Sequence, residues 1–149
     1  SNPELADLKV VVEYIKDNLD QSLKTEHLAR QFSLSTVQLD RRMKRVFRLT
    51  TKKFIMKCRL EKASRQLIST KISVSDIALA CGFTDQSALT KQFRNAISDT
   101  PANFRKKNQN SWFQEFGFRL ISAITYICAS HVGGGWDLEL TQYSLVLLN

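Results

Sequence analysis

The feature that most restricts how this chain can fold is an internal repeat with a period of about fifty residues. Leu28-Ala29 returns as Ile77-Ala78, 49 positions on. After a turn one residue longer, Ser35, Leu39, Met43 and Lys44 return as Asp85, Leu89, Phe93 and Arg94, 50 positions on. Each copy reads as a short helix, a tight turn and a longer helix whose outer face is basic and polar. The second turn contains Gly82. Two helices this short cannot cover their own apolar stripes, so each copy needs a surface to pack against. Residues 51–68 lie between the copies and offer Phe54, Ile55, Cys58, Leu60, Ala63, Leu67 and Ile68 for burial. One long connecting helix there would complete both cores.

The remaining segments keep the helical period. Leu5, Leu8, Val11, Val12, Ile15 and Leu19 predict an amphipathic helix over residues 4–18. Thr25 is expected to cap a short helix carrying Leu28, Ala29 and Phe32, and Ser35 one carrying Leu39, Met43, Val46 and Phe47. Ser73 and Asp76 are spaced as a capping box, and Asp85 can cap the longer helix of the second copy. Thr100-Pro101 places a cap before a proline, opening a last helix that ends near Lys107. Residues 1–107 hold one Gly, two Pro and no strand-like alternation. The expected fold is all-α.

Charge and motif inventory narrow the function. The net charge of +8 is unevenly placed: residues 1–107 hold 21 Lys and Arg against 11 Asp and Glu, and residues 108–149 hold 1 against 3. A basic helical segment favours polyanionic partners. Cys58, Cys81 and Cys128 are odd in number, widely spaced and without a CxxC pair, which argues against disulfides or zinc and fits a reducing cytoplasm. His27 and His131 are isolated, and no P-loop, GxSxG or HExxH run occurs. No catalytic residue, metal ligand or cofactor is expected. Lys9, Glu13 and Lys16 break the first apolar stretch, so no signal peptide is visible, and the apolar run Leu120–Val132 is too short to span a bilayer.

A helix fits the major groove of B-DNA, where side chains distinguish all four base pairs. Two units reading one face of a duplex should sit about one helical turn, roughly 34 Å, apart. An 18-residue connecting helix spans about 27 Å, which with the girth of the units comes close to that figure. The two copies differ in sequence, so an asymmetric site is expected. Away from its apolar stripe, the first longer helix presents Thr36, Val37, Gln38, Asp40, Arg41, Lys44 and Arg45. The second presents Gln86, Ser87, Ala88, Thr90, Lys91 and Arg94. Lys52 and Lys53 open the connecting helix, where free N–H groups also attract phosphate.

Residues 5–107 resemble the DNA-binding domain of AraC/XylS-type transcription regulators. The resemblance is carried by Ser35-Thr-Val-Gln-Leu39-Asp-Arg41-Arg-Met43-Lys44, by Phe54, Arg59-Leu60 and Ala63, and by Ile77-Ala78, Gly82-Phe83, Asp85-Gln86-Ser87 and Phe93-Arg94. Thr100-Pro101 and Phe104-Arg105 close it. It implies about seven helices, with recognition helices at 35–47 and 85–97. It also implies promoter binding, regulation of transcription through RNA polymerase, and a cytoplasmic location. The implied base-facing positions are Val37, Asp40 and Arg41, then Gln86, Ser87, Ala88, Thr90 and Lys91. Departures from the family pattern are Met43 for Phe, Arg48 for Gly, Thr51 for Pro and Ser98 for Gly, which bear on local turns, and Asp40, which bears on base reading.

Plainer readings stand beside these. Arg41 and Lys91 equally suit phosphate contacts, Arg59 a buried carboxylate pair, and Arg42, Arg45, Lys106 and Lys107 solvated charge. Cys81 and Cys58 read as small core residues, without a neighbour in sequence to activate a thiol. Residues 108–149 fall outside the resemblance: a non-native extension, a helix folded back on the domain and an interaction surface are all open. The resemblance implies that members usually carry a sensing or receiver domain before the first helix, and none is found in these 149 residues. A short regulator or an isolated DNA-binding half is expected. The alternatives are a protein-binding module, motivated by Asp40 and the tail, and a DNA-repair enzyme using a cysteine.

Overall fold

The computed structural model describes residues 3–109; the readings made for 110–149, including Cys128 and His131, lie outside them. Seven helices follow one another: α1 (Pro3–Asp17), α2 (Thr25–Gln31), α3 (Thr36–Phe47), α4 (Thr51–Ser69), α5 (Val74–Ala80), α6 (Gln86–Ile97) and α7 (Pro101–Asn108). The described residues contain no strand. The all-α expectation holds, with helix ends within a residue or two of those read from the period.

Two cores share α4. The first joins Val12 and Ile15 of α1, Leu28 of α2, Leu39 and Met43 of α3, and Phe54, Ile55 and Cys58 of α4. The second joins Leu60, Ala63 and Leu67 of α4 with Ile77, Cys81, Phe83, Leu89 and Phe93. Each apolar stripe thus finds its cover on a different part of the connecting helix, the N-terminal part for one copy and the C-terminal part for the other.

The turns repeat as the sequence does. Ser33 (φ 57°) and Gly82 (φ 85°) take the left-handed conformation after the short helices. Leu34 N–H and Phe83 N–H then return to the carbonyls of Ala29 and Ala78, both at 2.9 Å. Arg48 (φ 59°) and Ser98 (φ 58°) end α3 and α6 in the same left-handed conformation. The two missing glycines therefore change cost and not geometry, at roughly 1–2 kcal/mol for each side chain placed there.

Ser35, Asp85 and Thr100 cap α3, α6 and α7 through their side chains, and the Ser35 cap is a full capping box with Gln38. Two cap expectations change. Lys24, extended at φ −86° and ψ 131°, holds the N-cap of α2 without a side-chain bond, while Thr25 is already helical. At α5, Ser73 Oγ accepts from Asp76 N–H at 3.0 Å, but the Asp76 carboxylate accepts from the Ser73 hydroxyl at 2.6 Å instead of from the Ser73 backbone N–H. An aspartate is one methylene shorter than the glutamate that completes a capping box.

Arg59 also differs from expectation. Its guanidinium donates to the carbonyls of Leu19 (3.0 Å) and Gln21 (2.8 Å), not to a carboxylate. Arg105 repeats the device on Leu67 (3.2 Å) and Ile72 (2.6 Å). Each arginine satisfies carbonyls at and beyond a helix C-terminus, where cations are favoured. Gly82 lies against the same Leu19 carbonyl and the Arg59 guanidinium. The segment after α1, the middle of α4 and the second turn thus converge, which locks one unit to the other.

Candidate nucleic-acid interface

The exposed faces of α3 and α6 match position for position. Val37, Arg41 and Lys44 are exposed on α3, and Ser87, Lys91 and Arg94 are exposed 50 positions later on α6. Steps of four and three residues place each trio on one face. The opposite faces carry Leu39 and Met43, Leu89 and Phe93, all fully buried. Val37 is a large apolar side chain that is 65% exposed, and Gln86 stands exposed in the first turn of α6. Arg45 is exposed as well, as are Lys52 and Lys53 in the first turn of α4.

Other residues from the sequence reading are placed differently. Gln38 is exposed, but its Oε1 accepts from Ser35 N–H at 2.9 Å and completes the cap. Thr36 and Thr90 are half-buried, and Ala88 packs against the second core. Asp40 is half-buried and its Oδ1 accepts from Thr51 N–H at 2.9 Å and from Thr51 Oγ1 at 2.6 Å. It faces the start of α4, where a buried N–H needs an acceptor. The repeat held a signal for this that sequence reasoning missed: the second copy has Pro101, with no N–H, where the first has Thr51.

Nor are Arg42 and Lys107 simply solvated. Arg42 meets Asp7 of α1 at 3.4 Å, and Lys107 meets Asp99 at 2.8 Å. Hydrogen bonds from Lys107 and from Thr100 N–H hold the Asp99 carboxyl below its usual range.

Cys58 and Cys81 are buried. Desolvation pushes the Cys58 thiol up to about 12 from an ordinary 9.0, with Glu61 adding to it, and pushes Cys81 up to about 11. At pH 7 the Cys58 thiolate is then on the order of one part in a hundred thousand. Both thiols should resist a thiol reagent in the native protein at pH 7 and react once it is unfolded; rapid native labelling of either would contradict their burial. Because both folded values are raised, this contribution to stability is intact below about pH 9 and is lost as pH rises towards 11 and 12. Among the described residues no group of three or more His, Cys, Asp or Glu side chains is placed to hold a metal, and no helix is long and apolar enough to cross a membrane.

Two helix-turn-helix units mounted on one long helix define the class, a double helix-turn-helix domain of the kind that binds DNA. A family model described as a helix-turn-helix domain matches residues 28–107, more than half of the chain. The HTH-type transcriptional activator RhaS of Escherichia coli strain SE11 is 31% identical over 99 residues, which cover 66% of this chain and 36% of that protein. The chain therefore spans little more than a third of the curated relatives it matches. Among solved structures, an AraC-type transcriptional regulator from Chromobacterium violaceum superposes with a TM-score of 0.67 at 27% identity, covering 72% of this chain and 96% of that one. The DNA-binding domain of the global transcriptional factor AdpA, in complex with a target DNA, gives 0.65 at 25% identity, covering 76% and 99%. This chain belongs to the AraC/XylS-type helix-turn-helix family.

Proposed function

We propose that residues 1–107 bind double-stranded promoter DNA with sequence preference, placing α3 and α6 in successive major grooves, and that the chain regulates transcription. The observation that carries this is the matched pair of exposed rows, Val37, Arg41 and Lys44 on α3 and Ser87, Lys91 and Arg94 on α6. The rows share geometry and differ in chemistry, which suits an asymmetric site. Arg41 can take two bonds to guanine, Gln86 can pair with adenine, and Val37 suits a thymine methyl. Lys52, Lys53 and Arg45 suit phosphate. The similarity to the AdpA DNA-binding domain, whose structure contains a target DNA, supports the DNA-binding part of this reading. Work on the chromosome would place the chain in the cytoplasm, with RNA polymerase as the partner that the family resemblance implies. The protein-binding alternative loses one of its two motives, since the Asp40 carboxylate is taken up by Thr51.

Selection of random duplexes with the whole chain tests this reading. An asymmetric motif of two half-sites about 10 bp apart is expected. Arg41→Ala should relax base preference in one half-site and Gln86→Ala in the other, each at a loss of about 1–3 kcal/mol. Absence of any enriched motif, with binding that vanishes near physiological salt, would reduce the domain to a polycation.

A further inference from the structure

Thr51 opens α4 and is fully buried. Its N–H belongs to the first turn, where no carbonyl of the same helix can accept it. Its hydroxyl is also out of reach of water. A single oxygen, Asp40 Oδ1, accepts from both, at 2.9 and 2.6 Å. Asp40 lies in α3, between Leu39 and the exposed Arg41. The bond therefore ties the helix that carries the outward row to the helix that joins the units.

The second unit is an internal control. There the residue that opens the next helix is Pro101, buried and without an N–H, and the position matching Asp40 is Thr90. A proline at the first helical position needs no acceptor. The residues before the two positions, Thr50 (φ −66°, ψ 157°) and Thr100 (φ −87°, ψ 151°), have nearly the same extended backbone, compatible with a following proline. The units thus solve one packing problem in two ways, Thr90 with Pro101 and Asp40 with Thr51.

We propose that Asp40 is a positioning residue, not a base reader: it holds α3 on the start of α4 by satisfying Thr51, and so sets how the first unit presents Val37 and Arg41. The consequence for DNA rests on the function proposed above; the latch itself does not. Turning the carboxylate toward a base would strand a buried N–H and hydroxyl, a loss that one hydrogen bond to cytosine does not offset.

Four variants of the whole chain test it, each read by thermal melting and by selection of random duplexes. Asp40→Asn keeps an acceptor oxygen and should preserve both the melting temperature and the preferred base at every position. Asp40→Ala and Asp40→Thr should melt about 5 °C lower. Both should bind about tenfold more weakly through the first half-site, with the second half-site unchanged. Adding Thr51→Pro to Asp40→Thr removes the stranded donor and should recover both readouts, which general damage to the fold would not allow. A new preferred base in Asp40→Asn, at an unchanged melting temperature, would make Asp40 a reader and overturn the proposal. Failure of Asp40→Thr/Thr51→Pro to recover melting would overturn the latch. If the parent chain enriches no motif, the proposed function falls while the melting series still decides the latch.

Discussion

Gly82→Ala should lower stability by about 3–5 kcal/mol, the range reached when backbone strain and a steric clash coincide. The φ of 85° already disfavours a side chain. A Cβ at this position would also overlap the Leu19 carbonyl oxygen and approach Arg59 Nε to 2.8 Å and Cζ to 2.9 Å. Ser33 supplies the comparison, since it carries a Cβ at φ 57° in the equivalent turn. Close approach of the Leu19 carbonyl, in the segment after α1, more than φ alone, is what demands glycine at 82. Circular-dichroism melts should show a fall of more than about 10 °C for Gly82→Ala, and little change for the control Ser33→Ala. A Gly82→Ala melt within about 3 °C of the parent would mean that the junction between the units gives way easily.

Phe93→Ala should remove about 3–5 kcal/mol through the cavity it leaves. Phe93 is fully buried and meets Phe104 edge-on, with ring centroids 5.2 Å apart at 73°. That contact joins α6 to α7, so the loss concerns the second core and not the first. Hydrogen exchange should accelerate most in α5, α6 and α7 while α1 to α3 keep more of their protection. Equal loss of protection in both halves would show that α4 and the Arg59 junction couple the two cores into one cooperative unit.

The sequence disclosed the helices because each is amphipathic and most carry a side-chain cap within a residue of the true start. Capping is local: Ser35, Asp85 and Thr100 act three residues away, so their roles are visible in one dimension. The repeat likewise disclosed that two alike units share one helix. The misreadings of Arg59 and Asp40 arose because each side chain satisfies something distant. Arg59 reaches carbonyls 40 and 38 residues back, and Asp40 reaches 11 residues ahead. Their partners are backbone atoms, or backbone and hydroxyl of one residue, and carry little or no residue-type signature in the chain.

By itself, then, the sequence determined an all-α chain of two helix-turn-helix copies, with a basic outer row on each longer helix. Hydrophobic period, caps and repeat are all short-range statements, and they agree with one another. Only the tertiary structure decided which members of those rows face outward. It turned Asp40 onto Thr51 and packed Ala88 against the second core, leaving Val37, Arg41, Gln86, Ser87 and Lys91 exposed. The physical reason is that buried donors and carbonyls must be satisfied wherever the fold brings them, and the groups that satisfy them are chosen by proximity in space.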